Sequence, residues 1–233
     1  MRIIAGEWRG RKLIAPRGDA TRPTADRTRE TLFNMLASRL GSFAGLRVAD
    51  LFAGSGALGL EALSRGGAQA DFVEDAGVAL HALKANVAAR KLRAPLPGKA
   101  PTARYKAARI FKKDAIPFVQ ALEEGVYDIA FADPPYGSRK LDLVIERWME
   151  VRFSTILAVE HTLEHEVPKG GKRLDFGEIQ VTVYGLPRRS RGPRGEAPAA
   201  PESGSRRGGG KTPTPGTGKS PSRRPRKPPQ KGG

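Results

Sequence analysis

Apolar residues in the middle of this chain come in two rhythms. Leu46–Phe52, Ala70–Glu74, Tyr105–Phe111, Tyr127–Ala132 and Thr155–Glu160 are short runs dense in apolar residues, the pattern of strands buried on both faces. Between them, Ala57–Arg65, Ala76–Arg90, Ile116–Glu123 and Leu141–Glu150 carry apolar residues at helical spacing. Lys172–Phe176 and Ile179–Tyr184 read as a last hairpin around Gly177-Glu178. Strand–helix alternation predicts an α/β, Rossmann-like fold: a mostly parallel sheet covered on both faces, with a terminal antiparallel hairpin. The Pro-, Ala- and Gly-rich stretch Arg93–Thr102 is expected to be a surface loop.

Ahead of this alternation lies a short extension. Arg2–Ala5 and Lys12–Ala15 are expected to form a β-hairpin turning at Glu7-Trp8-Arg9-Gly10. A helix is expected from Asp26 to Leu40, capped by Thr24 or Asp26, with Leu32, Phe33, Leu36 and Leu40 on one face. Three segments result: residues 1–40, 41–186 and 187–233. From Pro187 onward large apolar residues vanish, and Pro, Gly, Ser, Thr, Lys and Arg dominate. Such a segment cannot bury enough surface to offset its ordering entropy, so disorder is expected.

Charge sharpens this division. The 233 residues carry a formal net charge of +17, of which 187–233 hold +11 and the remainder +6. An excess of that size suggests an anionic partner, nucleic acid ahead of a membrane surface. The absence of cysteine excludes disulfides, thiolate metal sites and Cys nucleophiles. The first residues lack the apolar core of a signal peptide, and no apolar run approaches the roughly 20 residues that span a bilayer. A cytoplasmic monomer is expected, with no membrane or metal partner. His81, His161 and His165 form no constellation, and surface or packing roles are expected for them.

Candidate chemistry concentrates at strand ends. Asp133-Pro134-Pro135-Tyr136 follows the run Tyr127–Ala132. A bland tight turn would use the same residues. The set also suits methylation of a planar, exocyclic amino group, whose lone pair is delocalised into its ring. The Asp133 carboxylate and the Pro134 carbonyl can accept from the amino hydrogens and localise that lone pair. Prolines stiffen the loop and leave carbonyls free, and Tyr136 can stack on a base.

Asp50-Leu51-Phe52-Ala53-Gly54-Ser55-Gly56-Ala57-Leu58-Gly59 follows the first strand and opens a helix. It holds a full G-x-G-x-x-G at Gly54, Gly56 and Gly59, and Glu74 follows Gly54 by 20 residues. Glu74 can accept both ribose hydroxyls of an adenosine, a spacing a dehydrogenase would share. Asp50 can hold the amino-acid part of S-adenosylmethionine, directly or through water, or cap a turn. Asp114, beside Ala115, can read adenine or cap the next helix. Arg2, Arg9, Arg11, Lys12 and Arg17 crowd Trp8; Arg9, Arg11 and Lys12 are candidate phosphate contacts. Trp8 is read as a packing anchor in preference to a stacking platform.

Taken together, these motifs resemble the RsmD family, bacterial 16S ribosomal RNA guanine-N2 methyltransferases. The resemblance spans roughly residues 2–185. It rests on Arg2–Gly6 with Trp8–Leu13, on Arg22-Pro23-Thr24 continuing to Asn34, on Asp50–Gly66, and on Asp133–Tyr136. It implies a class I methyltransferase fold, S-adenosylmethionine as cofactor, and N2-methylguanosine formation in a 16S rRNA loop. The partner would be the small ribosomal subunit or its assembly intermediate. It further implies acceptor-site roles for Asp133, Pro134, Pro135 and Tyr136. Cofactor contacts would come from Asp50, Phe52, Gly54, Gly56, Glu74, Asp114 and Ala115, with Arg22 and Thr24 near the active-site mouth. The tail after Pro187 is not a family feature. Two rivals stand beside this reading: a DNA adenine-N6 methyltransferase, and a non-catalytic RNA-binding ribosome-assembly protein. Activity on DNA would favour the first, and failure to bind S-adenosylmethionine the second.

Overall fold

The five buried apolar runs become β1 (Arg47–Asp50), β2 (Gln69–Val73), β3 (Ala107–Phe111), β4 (Tyr127–Ala132) and β5 (Ser154–Thr162). β6 (Lys172–Asp175) and β7 (Ile179–Tyr184) form the closing hairpin. All seven join one sheet in the order β3-β2-β1-β4-β5-β7-β6. β1 to β5 pair in parallel, and β7 enters between β5 and β6, antiparallel to both. The strand order reverses between β1 and β4, which opens a crevice outside their C-terminal ends, where open α/β sheets bind ligands. This computed structural model describes residues 1–15, 23–96, 98–102 and 104–186. The tail expected to be disordered lies outside the described residues, as does Arg22.

Two apolar layers hold the sheet between helices. Val48, Ala70, Phe72, Ile129, Phe131, Ile156 and Ala158 face α1 (Pro23–Leu40), α2 (Ala57–Ser64) and α3 (Gly77–Ala88). Ala49, Leu51, Ala130, Ala132, Leu157 and Val159 face α4 (Ala115–Gln120) and α5 (Lys140–Val151). Successive strand residues thus alternate between layers, as the pleat requires. Burial on both faces explains why these strands read as continuous apolar runs.

At the N-terminus the expected boundaries shift. The hairpin keeps its turn, but its ladder shrinks to a single antiparallel bridge, Arg2–Lys12. Ile3 N still donates to Arg11 O, Gly10 N to Ile3 O and Leu13 N to Met1 O, but beyond Ile3 the chain turns to α2. The Glu61 carboxylate on α2 accepts from Ile4 N (2.7 Å) and Ala5 N (3.0 Å), and the Ser64 carbonyl accepts from Glu7 N (2.8 Å). Gly6 sits at φ +83°, where a Cβ would fall 2.0 Å from the Ser64 carbonyl oxygen. Helix α1 begins at Pro23, so Thr24 and Asp26 lie inside its first turn and not at the position before it. Proline lacks the N–H that a first helical residue would leave unpaired. Asp26 instead pairs with Arg29 one turn on, at 2.9 Å. Ile3, Trp8 and Leu13 are buried in the same core as α1 and α2. Trp8 is therefore a packing anchor, with the Lys106 ammonium 4.8 Å from its ring centre.

Candidate active site

The glycine loop is braced from below. Asp50 ends β1, and its buried carboxylate accepts from Gly59 N at 2.9 Å, across the loop. Burial pushes its pKa up to about 7; the Gly59 N–H opposes that rise and the Glu74 charge adds to it. Gly56 caps α2 in the left-handed region (φ 82°), and its Cβ would meet Leu83 Cδ1 at 2.6 Å. Gly54 (φ +54°) faces open space instead, with no atom within 4 Å of an added Cβ. Packing therefore explains Gly56, while Gly54 leaves backbone accessible at the crevice. Glu74 directly follows β2, accepting from Gly54 N (2.7 Å) and Ala76 N (2.8 Å).

Asn86 is a member of this assembly that motif reading missed. Its side-chain nitrogen donates to the carbonyls of Ser55 and Ile14, both at 2.9 Å, and its oxygen accepts from Ile14 N at 2.9 Å. It ties the N-terminal segment to the glycine loop. A single polar residue on the buried face of α3 was the available signal.

Phe52, Glu74 and Ala115 come together in a shallow depression that also involves Leu51, Asp75 and Lys113. Asp114 beside it caps α4, accepting from Ile116 N at 2.8 Å. Its other oxygen receives Lys140 Nζ at 2.6 Å. The Lys140 bond, then the Ile116 N–H, hold its pKa below the usual carboxylate value.

On the α1 side of the sheet, a cavity of about 150 Å³ opens between α1, the start of α2 and the ends of β4 and β5. Its lining includes Met1, Arg29, Leu58, Phe131, Asp133 and Glu160. A cavity of that volume has room for about one aromatic ring. The Asp133 carboxylate is reached by solvent through this opening, yet protein surrounds it on most sides. That confinement, followed by the like charges of Glu160 and Asp50, raises its pKa well above the ordinary carboxylate value. Glu160 is raised as well, chiefly by burial, against a hydrogen bond from Tyr136. The Tyr136 hydroxyl donates to Glu160 Oε1 at 3.1 Å, while its ring stays exposed. Pro134 is buried and Pro135 exposed beside it. Glu160 was not singled out from sequence, because it lies within a strand with no motif around it.

Arg9, Arg11 and Lys12 are all exposed on the N-terminal turn. Arg9 shares a cleft with Arg2 and Arg27, flanked by Asp26 and Glu30. Thr24 lies in the first turn of α1, and Arg22 falls outside the described residues. His161 is a packing residue, its ring nitrogens 2.9 Å from Thr162 O and Thr182 Oγ1. Among the described residues, no helix is long and apolar enough to cross a membrane.

Comparison with known proteins agrees with this architecture. The family model described as Conserved hypothetical protein 95 matches residues 1–184. YlbH of Bacillus subtilis (strain 168) is 36% identical over 195 residues, covering 80% of this chain and 95% of the relative. Ribosomal RNA small subunit methyltransferase D of Escherichia coli (strain K12) is 37% identical over 172 residues, 72% of this chain and 78% of that protein. The solved structure of yhhF from Escherichia coli superposes with a TM-score of 0.63 at 35% identity, over 79% of this chain and 96% of that one. The sheet order, its single reversed strand and the glycine loop after β1 are those of the class I S-adenosylmethionine-dependent methyltransferase fold. With the family model spanning nearly all of the described chain and these relatives matching throughout it, the protein belongs to the Conserved hypothetical protein 95 family, the RsmD family.

Proposed function

We propose that this protein transfers a methyl group from S-adenosylmethionine to the exocyclic N2 amino group of a guanine in 16S rRNA, in the small subunit or an assembly intermediate. The observation that carries this reading is a ring-sized cavity at the switch point of the sheet with Asp133 and Glu160 in its wall, beside a smaller depression that shares Glu160 and is lined by Pro134 and Tyr136. The relative named ribosomal RNA small subunit methyltransferase D supports the substrate class.

The chain's donor set fits the cofactor. Gly54 offers open backbone, Glu74 places a carboxylate for ribose hydroxyls, and Phe52 with Ala115 gives apolar walls for adenine. Asp50, spending one oxygen on Gly59, acts on the amino-acid end through the loop it braces. S-adenosylmethionine supplies the electrophilic methyl group. The remaining work falls to the protein. Guanine leaves its stack, which costs a few kcal/mol and less in a loop than in a duplex. Tyr136 stacks on the ring, and Asp133 with the Pro134 carbonyl accepts the N2 hydrogens. Positive charge developing on N2 then meets the Asp133 carboxylate, the charge placement that dominates such rates. The N2 proton then passes to the Asp133 carboxylate, which solvent reaches, so no histidine base is needed.

The direct test is transfer from labelled S-adenosylmethionine to undermethylated small subunits, followed by digestion to nucleosides. N2-methylguanosine is the expected product; labelled N6-methyladenosine, or label in DNA alone, would sink the reading. Two substitution series refine it. Tyr136→Ala is expected to lower kcat/KM about 10- to 100-fold, the worth of one stacked base. Tyr136→Phe, which keeps the ring, should lose far less; equal losses would assign Tyr136 to hydrogen bonding. Charge reversal at Arg9 and Arg11 is expected to weaken rRNA binding and to flatten its salt dependence by about one unit of slope for each phosphate no longer neutralised. An unchanged slope would move the RNA surface away from the N-terminal turn.

A further inference from the structure

Glu160 lies in the acceptor cavity, and the proposed methyl transfer gives it no task. The β4–β5 pairing is parallel, with Ala132 opposite Val159, so Asp133 and Glu160 are the next neighbours across the two strands. Adjacent strands lie about 4.8 Å apart, which sets the two carboxylates side by side at one wall. Both line the cavity, with Arg29 of α1, ion-paired to Asp26, in the same lining. The Tyr136 hydroxyl donates to Glu160 Oε1, so the residue that would stack on the base also orients this carboxylate.

The Watson–Crick edge of guanine presents, in order, the O6 acceptor, the N1–H donor and the N2 amino donors. If Asp133 and the Pro134 carbonyl take the N2 hydrogens, the next position along that edge is N1–H. We propose that Glu160 accepts this N1–H and is the residue that selects guanine over purines whose N1 bears a lone pair. In adenine, and in 2,6-diaminopurine, that lone pair would face a carboxylate with no proton between them. A site built to accept a donor rejects an analogue that lacks it strongly, because the buried acceptor is left unpaired. Tyr136, by fixing the carboxylate, couples stacking to this selection. The proposal deepens the guanine-N2 reading and rests on it.

The test compares two acceptors that both carry an N2 amino group. Small subunits are reconstituted with 16S rRNA bearing guanosine or 2,6-diaminopurine riboside at the position the wild-type protein methylates. The full-length wild type is expected to favour guanosine in kcat/KM by about tenfold or more. Glu160→Gln, whose amide can donate to a bare N1, is expected to shrink that preference about tenfold with S-adenosylmethionine affinity unchanged. Glu160→Asp, which keeps the charge, is expected to retain the preference even where its rate falls. A preference unchanged in Glu160→Gln, or lost equally in both variants, would mark a packing role and overturn the proposal. A wild type that forms no N2-methylguanosine on guanosine subunits would instead remove the functional reading itself, and this inference with it.

Discussion

Asp133→Ala is expected to cut methyl transfer by about three orders of magnitude while leaving cofactor affinity within about twofold, the scale of losing one preorganised electrostatic partner of a transition state. The carboxylate is the group nearest the developing charge in the proposed reaction, and it lies on the cavity wall, away from the Phe52–Glu74–Ala115 depression. Single-turnover rates with saturating subunits, alongside equilibrium binding of S-adenosylmethionine, separate the two effects. Asp133→Asn keeps an acceptor oxygen but loses the charge, so it should fall between wild type and alanine. Unchanged turnover in folded Asp133→Ala would remove Asp133 from the chemistry.

The same carboxylate predicts a pH profile. Its working form is ionised, and confinement with the charges of Glu160 and Asp50 raises its pKa. A raised pKa means protonation sets in sooner as pH falls. Activity should therefore decline on the acid side at a pH above the ordinary carboxylate range near 4. Glu160→Gln removes one like charge, so the acid limb should move to lower pH in that variant. A limb that stays in place would show that Glu160 does not act on Asp133.

Much of this site was legible because its chemistry lies in contiguous motifs. The glycine loop, Glu74 and Asp133–Tyr136 each follow a strand, and strands buried on both faces announce themselves as apolar runs. Glu160, Asn86 and Glu61 were hidden for a common reason. Each acts across the fold on a partner distant in sequence, through β5–β4 register, or through α3 and α2 reaching back to the N-terminal segment. Nothing local distinguishes such residues from solvated polar positions. The start of α1 was misjudged because Thr and Asp favour caps, whereas Pro23 already fixes the first helical φ. The hairpin pairs only briefly because beyond Ile3 its first arm turns to α2, where Glu61 accepts from Ile4 N and Ala5 N.

That carboxylate carries the largest stability prediction. Glu61 is fully buried and accepts from Ile4 N, Ala5 N and Arg65 Nε, the last at 2.7 Å. Arg65 in turn lies over the Phe33 ring at 5.1 Å, beneath α1. Glu61→Ala strips the acceptor from two backbone donors and leaves a largely buried guanidinium without its counter-charge. Breaking a buried pair by removing one partner costs about 3–5 kcal/mol. For a domain of this size that is a fall in Tm of roughly 10 °C or more, measurable by calorimetry. Glu61→Gln, keeping one acceptor oxygen, should lose less. Because Met1 lines the acceptor cavity and the Arg2 carbonyl accepts from Arg29 Nη2, a released N-terminus should also reshape the cavity. Catalytic efficiency should then fall in Glu61→Ala even at temperatures where the protein stays folded. A loss of under about 1 kcal/mol, with activity intact, would mean that burial of Ile3, Trp8 and Leu13 suffices to dock the segment.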